Sequence, residues 1–127
     1  MTKFEATLIE FEDTVKNLAE VLIQEKTEFI RDSAIKRFEL AFDMSWKTIK
    51  AFLEEKGLSC VSPLGCFRDA YKQGLIEYEE IWVELVKTRN ATAHTYREEL
   101  AENVYSQLPQ ALGAFKKLLS AIKSQKG

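Results

Sequence analysis

Residues 35–53, Ile35-Lys36-Arg37-Phe38-Glu39-Leu40-Ala41-Phe42-Asp43-Met44-Ser45-Trp46-Lys47-Thr48-Ile49-Lys50-Ala51-Phe52-Leu53, place Ile35, Phe38, Phe42, Trp46, Ile49 and Leu53 at steps of three and four. Steps of that size return to one side of an α-helix. A second, partial stripe of Leu40, Ala41, Met44, Ala51 and Phe52 gives the same helix another apolar face, as a central helix packed on two sides requires. The helix is expected to start near Asp32 or Ser33, either of which can accept a hydrogen bond from the free amides of a first turn. Gly57 is its expected end, in the left-handed C′ position, with Leu58 folding back as the apolar C″ contact.

Working outward from this segment, the pattern stays helical. Upstream, Phe4, Leu8, Phe11, Val15, Leu18 and Leu22 draw one stripe, and the polar run Gln24-Glu25-Lys26-Thr27-Glu28 reads as a joint. Downstream, Ser62-Pro63 is a helix start, because Ser suits the N-cap and Pro loses nothing at the first helical position. The short helix after it carries Leu64, Phe67, Ala70 and Tyr71 and stops at Gly74. A fourth helix is expected from about Glu77 into the low nineties, with Tyr78, Ile81, Trp82, Leu85 and Val86 facing inward. The last shows Leu100, Val104, Leu108, Ala111, Phe115, Leu118 and Ile122, with a kink expected at Pro109 and a frayed tail over 123–127. Four long helices and one short one, joined by short connections, describe an all-α, antiparallel up-and-down bundle forming a single domain over 1–127.

The composition fits this. A chain of 127 residues with 46% hydrophobic and 30% charged residues is ordinary globular protein, and five Gly with two Pro are too few for a many-stranded β fold. The net charge of −2 gives no basic stripe for nucleic acid at large, so DNA is not expected as a partner and any RNA contact must be local or shared between subunits. Cys60 and Cys66 do not form a CxxC pair, and with one His no zinc site of the usual spacing can be drawn; no metal and no cofactor are expected. The segment Met1–Asp13 lacks the unbroken apolar core of a signal peptide, and no stretch approaches a bilayer span. A cytoplasmic protein with reduced thiols, not bound to a membrane, is expected, with the two cysteines as small apolar fillers. No Gly-rich phosphate loop occurs, so the chain is not expected to bind ATP or to be a nucleotidyltransferase itself.

The regular pattern fails at one place. Past Trp82 and Leu85, the fourth stripe reaches Arg89, Ala93 and Tyr96, so an arginine stands where an apolar residue belongs. Tyr96, seven residues on, returns to nearly the same face if the helix continues, while His94 lies about 140° around the axis and flanks the same groove. Such a set suits phosphodiester transfer without a metal. An imidazole can give or take a proton under ordinary conditions, so His94 can act as general acid or base; Arg89 can hold a phosphate in a two-pronged bond; Asn90 and Thr92 add hydrogen bonds. A two-fold dimer would bring a second His to the same groove. Simpler roles stand beside these. A histidine near a helix C-terminus can serve as a cap, and Arg89 can pair with Glu77, Glu80, Glu84 or an acid of the second helix. Glu39 and Asp43, four apart, read as paired carboxylates, as partners for Arg89, or as a salt-bridged face. Phe42, Trp46 and Trp82 fit a core better than a ligand-stacking wall.

Arg89-x4-His94-x-Tyr96 matches the RX4HXY motif of HEPN domains. The wider pattern resembles the nucleotidyltransferase substrate-binding branch of that group: Arg37-Phe38-Glu39, Ser45-Trp46-Lys47-Thr48-Ile49-Lys50, Gly57, Ser62-Pro63, Gly74-Leu75-Ile76, Trp82, and Arg89-Asn90 with His94-Thr95-Tyr96. The likeness covers nearly the whole chain. It implies a small helical bundle that forms a homodimer and is paired with a separate minimal nucleotidyltransferase chain, similar to the helical half of kanamycin nucleotidyltransferase. In related toxin–antitoxin pairs it implies a metal-independent ribonuclease toxin, silenced when the antitoxin partner adenylylates the motif tyrosine. Carried over, Arg89 binds phosphate, His94 is the acid–base group and Tyr96 accepts AMP. Three expectations follow: a partner subunit that helps form the nucleotidyltransferase's substrate site, an endoribonuclease working on RNA, or a purely structural dimerisation bundle.

Overall fold

The first three helices each begin at a side chain that caps them. The structure, a computed structural model, describes residues 1–126. Thr2 accepts the Glu5 amide at 3.0 Å and opens α1 (Lys3–Leu22). Thr27 accepts the Ile30 amide at 3.0 Å and opens α2 (Glu28–Glu55), more than a turn earlier than the Asp32 or Ser33 cap expected from sequence. The apolar pattern hides this extra turn because Phe29, its first large apolar residue, is 85% exposed. Ser62 caps α3 (Pro63–Lys72), with Pro63 in the first turn as expected.

The two glycine stops also hold. Gly57 and Gly74 have φ of 76° and 79°, which a side chain would strain. The Leu58 amide bonds the Leu53 carbonyl and the Leu75 amide the Ala70 carbonyl, both at 2.9 Å, closing the two helix ends. Leu75 is buried, whereas Leu58 stays 42% exposed and folds back only in part. Then come α4 (Glu79–Ala91), a 3₁₀ turn (Thr92–His94) and α5 (Glu98–Lys126), which is continuous across Pro109. The tail expected to fray from Lys123 is therefore helical as far as Lys126, and Gly127 lies outside the described residues.

The described residues form an all-α bundle of five helices in which α1, α2, α4 and α5 alternate in direction and α3 links α2 to α4. Lys3 of α1 pairs with Glu54 of α2, and Thr88 of α4 meets Gln107 of α5, as antiparallel neighbours do. A chain of rings fills the centre. Phe11 and Phe38 both meet Phe115; Phe42 meets Phe67 at 5.7 Å, Phe67 meets Trp82 at 4.6 Å, and Trp82 returns to Phe115 at 6.0 Å. Aromatic contacts of this kind hold all five helices on one core. Trp82 and Phe42 are thus core residues, and Trp46 packs half-buried against the core.

Two further expectations are corrected. Tyr78, read as inward, is 67% exposed, because α4 begins only at Glu79 and leaves Tyr78 in the preceding extended residue. Cys60 and Cys66, read as free thiols, form a disulfide. The first turn of α3 brings Cys66 back beneath the approaching chain, so the Cα atoms sit 5.1 Å apart despite six positions of separation. Among the described residues no helix is long and apolar enough to cross a membrane.

Candidate functional site

α4 runs towards the end of the bundle where α2 begins, and its last turn, with Arg89, meets α2 near the middle of that helix. Glu39 and Asp43 are one turn apart on α2 and so share a face. Arg89, in the last turn of α4, reaches across to both. Its Nε donates to Asp43 Oδ1 at 3.1 Å and its Nη2 to Asp43 Oδ2 at 3.2 Å; its Nη1 donates to Glu39 Oε2 and to Thr92 Oγ1, each at 2.9 Å. A guanidinium has five N–H donors, so these four bonds nearly fill it. The Asp43 hydrogen bonds, with the charges of Asp43 and Glu39, hold the Arg89 pKa above its ordinary value against the opposing effect of burial. The Arg89 side chain keeps 29% exposure and its two acids 25% and 35%, so the cluster is a rim feature and not a sealed one.

Thr92 is the buried member. Its hydroxyl lies 2.7 Å from the Arg89 carbonyl oxygen and 3.2 Å from Glu39 Oε2. From there the chain tightens into the 3₁₀ turn, which advances 120° per residue where an α-helix advances 100°. The change of pitch swings the following residues off the Arg89 face. Ala93 and His94 are exposed, and Tyr96 is 81% exposed, so the inward position expected for Ala93 and Tyr96 from a continued helix is corrected. His94 and Tyr96 instead meet each other, rings edge to face with centroids 6.1 Å apart. The motif is therefore split. Arg89 and Thr92 belong to a clasp with Glu39 and Asp43, and His94 and Tyr96 form an exposed pair beside it, with Asn90 exposed on α4. Among the described residues no hydrogen bond joins Arg89 to His94 or Tyr96.

One residue of this end escaped the sequence reading. Arg31 in α2 is 4% exposed and donates to Glu98 and Glu102 in the first turns of α5, and to Asp32 Oδ1 at 3.0 Å. Glu102 also pairs with Lys26, whose ammonium lies over the Tyr105 ring. Together they fix the start of α5, the element directly after Tyr96. The signal was present: stepping four residues upstream from Ile35 on the main stripe lands on Arg31.

A cleft of about 570 Å³ opens at the other end of α4, lined by Leu75, Ile81, Trp82, Gly113 and Lys117 with Tyr78 among the lining residues. It is separate from the motif. No three His, Cys, Asp or Glu side chains gather to hold a metal ion among the described residues.

A family model described as "Nucleotidyltransferase substrate binding protein like" matches residues 1–124. A curated relative from Haemophilus influenzae, named "Probable ribonuclease HepT", is 33% identical over 85 residues; the match takes in 62% of this chain and 58% of the relative's length. A solved protein of Thermus thermophilus is 33% identical with a TM-score of 0.81, covering 87% of this chain and 96% of that one. A solved Haemophilus influenzae protein, described as having the fold of a substrate binding domain of a nucleotidyltransferase, is 26% identical with a TM-score of 0.71, over 94% and 96% of the two chains. A chain of the toxin–antitoxin MntA-HpeT crystal structure shares the fold, with a TM-score of 0.77 at 16% identity over 95% and 97%.

Proposed function

The chain belongs to the nucleotidyltransferase substrate binding protein like family, and we propose that it is the helical partner subunit of a two-component minimal nucleotidyltransferase system of the toxin–antitoxin kind. The observation that carries this is the family match across 1–124, which takes in every helix of the described bundle. On this reading the catalytic chain is a separate protein, and this one supplies a dimeric helical surface and the substrate side of the site. ATP as the donor favours the cytoplasm, whereas the Cys60–Cys66 disulfide is a bond that a reducing compartment disfavours. Tyr96 suits the role of AMP acceptor: its phenol is exposed at the bundle end, where a partner's active site can reach it. In that reaction the phenol oxygen attacks the α-phosphorus of ATP, pyrophosphate leaves and the phenol proton is lost.

Co-expression with a minimal nucleotidyltransferase from the same organism, followed by intact mass measurement with ATP, tests this reading. A stable complex and the mass of one AMP on Tyr96, absent in Tyr96→Phe, are expected. Separate elution of two folded chains would sink the partner-subunit reading.

A second reading is favoured by a specific observation: Arg89, His94 and Tyr96 are all present, and a relative 33% identical over 85 residues is named a ribonuclease. On this reading the chain cleaves RNA without a metal. His94 takes the proton from a ribose 2′-hydroxyl as it attacks the phosphorus, the same residue of a second copy protonates the leaving 5′-oxygen, and Arg89 stabilises the charge on the phosphoryl oxygens. RNA cleavage in chelator, lost in both His94→Ala and Arg89→Ala, is the expected result. An inert, folded, dimeric wild type would remove this reading.

A further inference from the structure

The fork of Arg89 already holds an anion. Asp43 lies side-on against its Nε–Nη2 edge with two parallel bonds of 3.1 and 3.2 Å, the geometry that a phosphate takes at an arginine. The other edge is held differently: Nη1 donates to Glu39 and to the buried Thr92 hydroxyl, both at 2.9 Å. One positive and two negative charges leave the cluster net negative. A phosphodiester approaching it meets a filled fork and a repelling field. Asp43 is 35% exposed, so it can turn to water without the cost of stranding a charge in the core.

On the reading of Arg89 as the phosphate-binding group, we propose that Asp43 is an internal counter-anion. It occupies the phosphate seat of Arg89, so the isolated chain is in a closed state that RNA backbone must open by displacing it. Glu39 and Thr92 have a different part. They grip the opposite edge and keep the guanidinium in place while Asp43 leaves. The two acids, equal in charge and one turn apart, therefore act oppositely on RNA: Asp43 blocks the seat and Glu39 positions it.

The test is fluorescence anisotropy with a labelled, uncleavable 2′-O-methyl single-stranded oligonucleotide, over a series of salt concentrations. Asp43→Asn and Asp43→Ala are expected to bind about tenfold tighter than wild type, the worth of one charge-assisted phosphate contact. The slope of log Kd against log salt should steepen by about one contact. Glu39→Gln removes the same charge but leaves the seat filled, so its gain should be under about threefold and its slope unchanged. Both Asp43 gains should vanish when Arg89→Ala is added. Thermal melts identify any variant that has unfolded, and either Asp43 variant suffices. The proposal is overturned if folded Asp43 variants bind no tighter than Glu39→Gln, or if their gain survives Arg89→Ala. Cleavage of ordinary RNA by wild type, lost in His94→Ala, keeps the ribonuclease reading even then, and only the closed seat is wrong. A gain in binding with no cleavage by any variant keeps the seat and removes the ribonuclease.

Discussion

Two arginines interrupt apolar stripes of this bundle, and each is clasped by acids from a neighbouring helix. Arg31 of α2 faces Glu98 and Glu102 of α5; Arg89 of α4 faces Glu39 and Asp43 of α2. The difference lies in which partner is covered. The Arg31 side chain is 5% exposed while Glu98 and Glu102 are 73% and 43% exposed, so a buried cation is served by acids standing in water. At Arg89 cation and acids are covered alike, at 29%, 25% and 35%. A buried guanidinium cannot exchange its partners without being left unpaired, whereas one on a rim can. The same residue type in the same pattern therefore yields a fixed joint in one case and an exchangeable seat in the other.

The largest expected effect separates them by stability. Arg31→Ala empties the space of a buried, hydrogen-bonded side chain and loosens the start of α5, and should cost about 3 kcal/mol, lowering Tm by roughly 10 °C. Arg31→Met, which refills the volume without a charge, should recover much of that loss. Arg89→Ala should cost no more than about 1 kcal/mol, because its side chain is only partly covered and its removal leaves little cavity. Calorimetry or chemical denaturation of the three variants decides the matter. Equal losses for Arg31→Ala and Arg89→Ala would erase the distinction drawn between joint and seat. The second contrast is functional: Arg89→Ala should abolish RNA cleavage wherever wild type shows it. Arg31→Met should leave measurable cleavage, since its side chain reaches the motif only through the first turn of α5.

How far the sequence discloses these two sites follows from what each local signal depends on. The stripes Phe4 to Leu18 and Val104 to Ile122 are repeated, so a misread residue changes little, and the buried core follows them. The cap at Ser62 and the stops at Gly57 and Gly74 are legible because they rest on the chemistry of single residues. The start of α2 was missed because Thr27 stands within a polar run and the first helical aromatic, Phe29, points to water. Arg89 could be found because it breaks the fourth stripe beside His94 and Tyr96, and its partners Glu39 and Asp43 could be named from their spacing on α2. Arg31 breaks a stripe in the same way, yet its acids lie 67 and 71 residues away, a distance that periodicity does not bridge. Tyr96 was misplaced for a different reason. Seven residues restore the face only on an unbroken α-helix, and the chain turns 3₁₀ at Thr92, whose hydroxyl meets Glu39, 53 residues away, as well as the Arg89 carbonyl one turn back. The Cys60–Cys66 bond likewise depends on how α3 folds back, which spacing alone does not state.

The smallest expected effect sharpens the contrast through pH. Glu102 stands between two cations, and its pKa is lowered, first by the Lys26 hydrogen bond and then by that from Arg31. Arg31, raised further above its already high value chiefly by Glu98, stays charged at every accessible pH, so any titration of this joint is that of the carboxylates. A carboxylate whose folded pKa is depressed contributes stability that is fully present above its unfolded value, about 4.3 for Glu, and loses it as pH falls through the folded value. Wild type should therefore lose Tm more steeply than Glu102→Gln as the pH is taken from about 5 to below about 4, while the two run parallel above that range. Because Glu102 is partly exposed, the difference should be modest and should shrink in high salt. Parallel curves throughout would mean that Lys26 and Arg31 hold Glu102 no better in the folded chain than water does in the unfolded one. The fixed character of the joint would then rest on the burial of Arg31 and its bond to Glu98 alone.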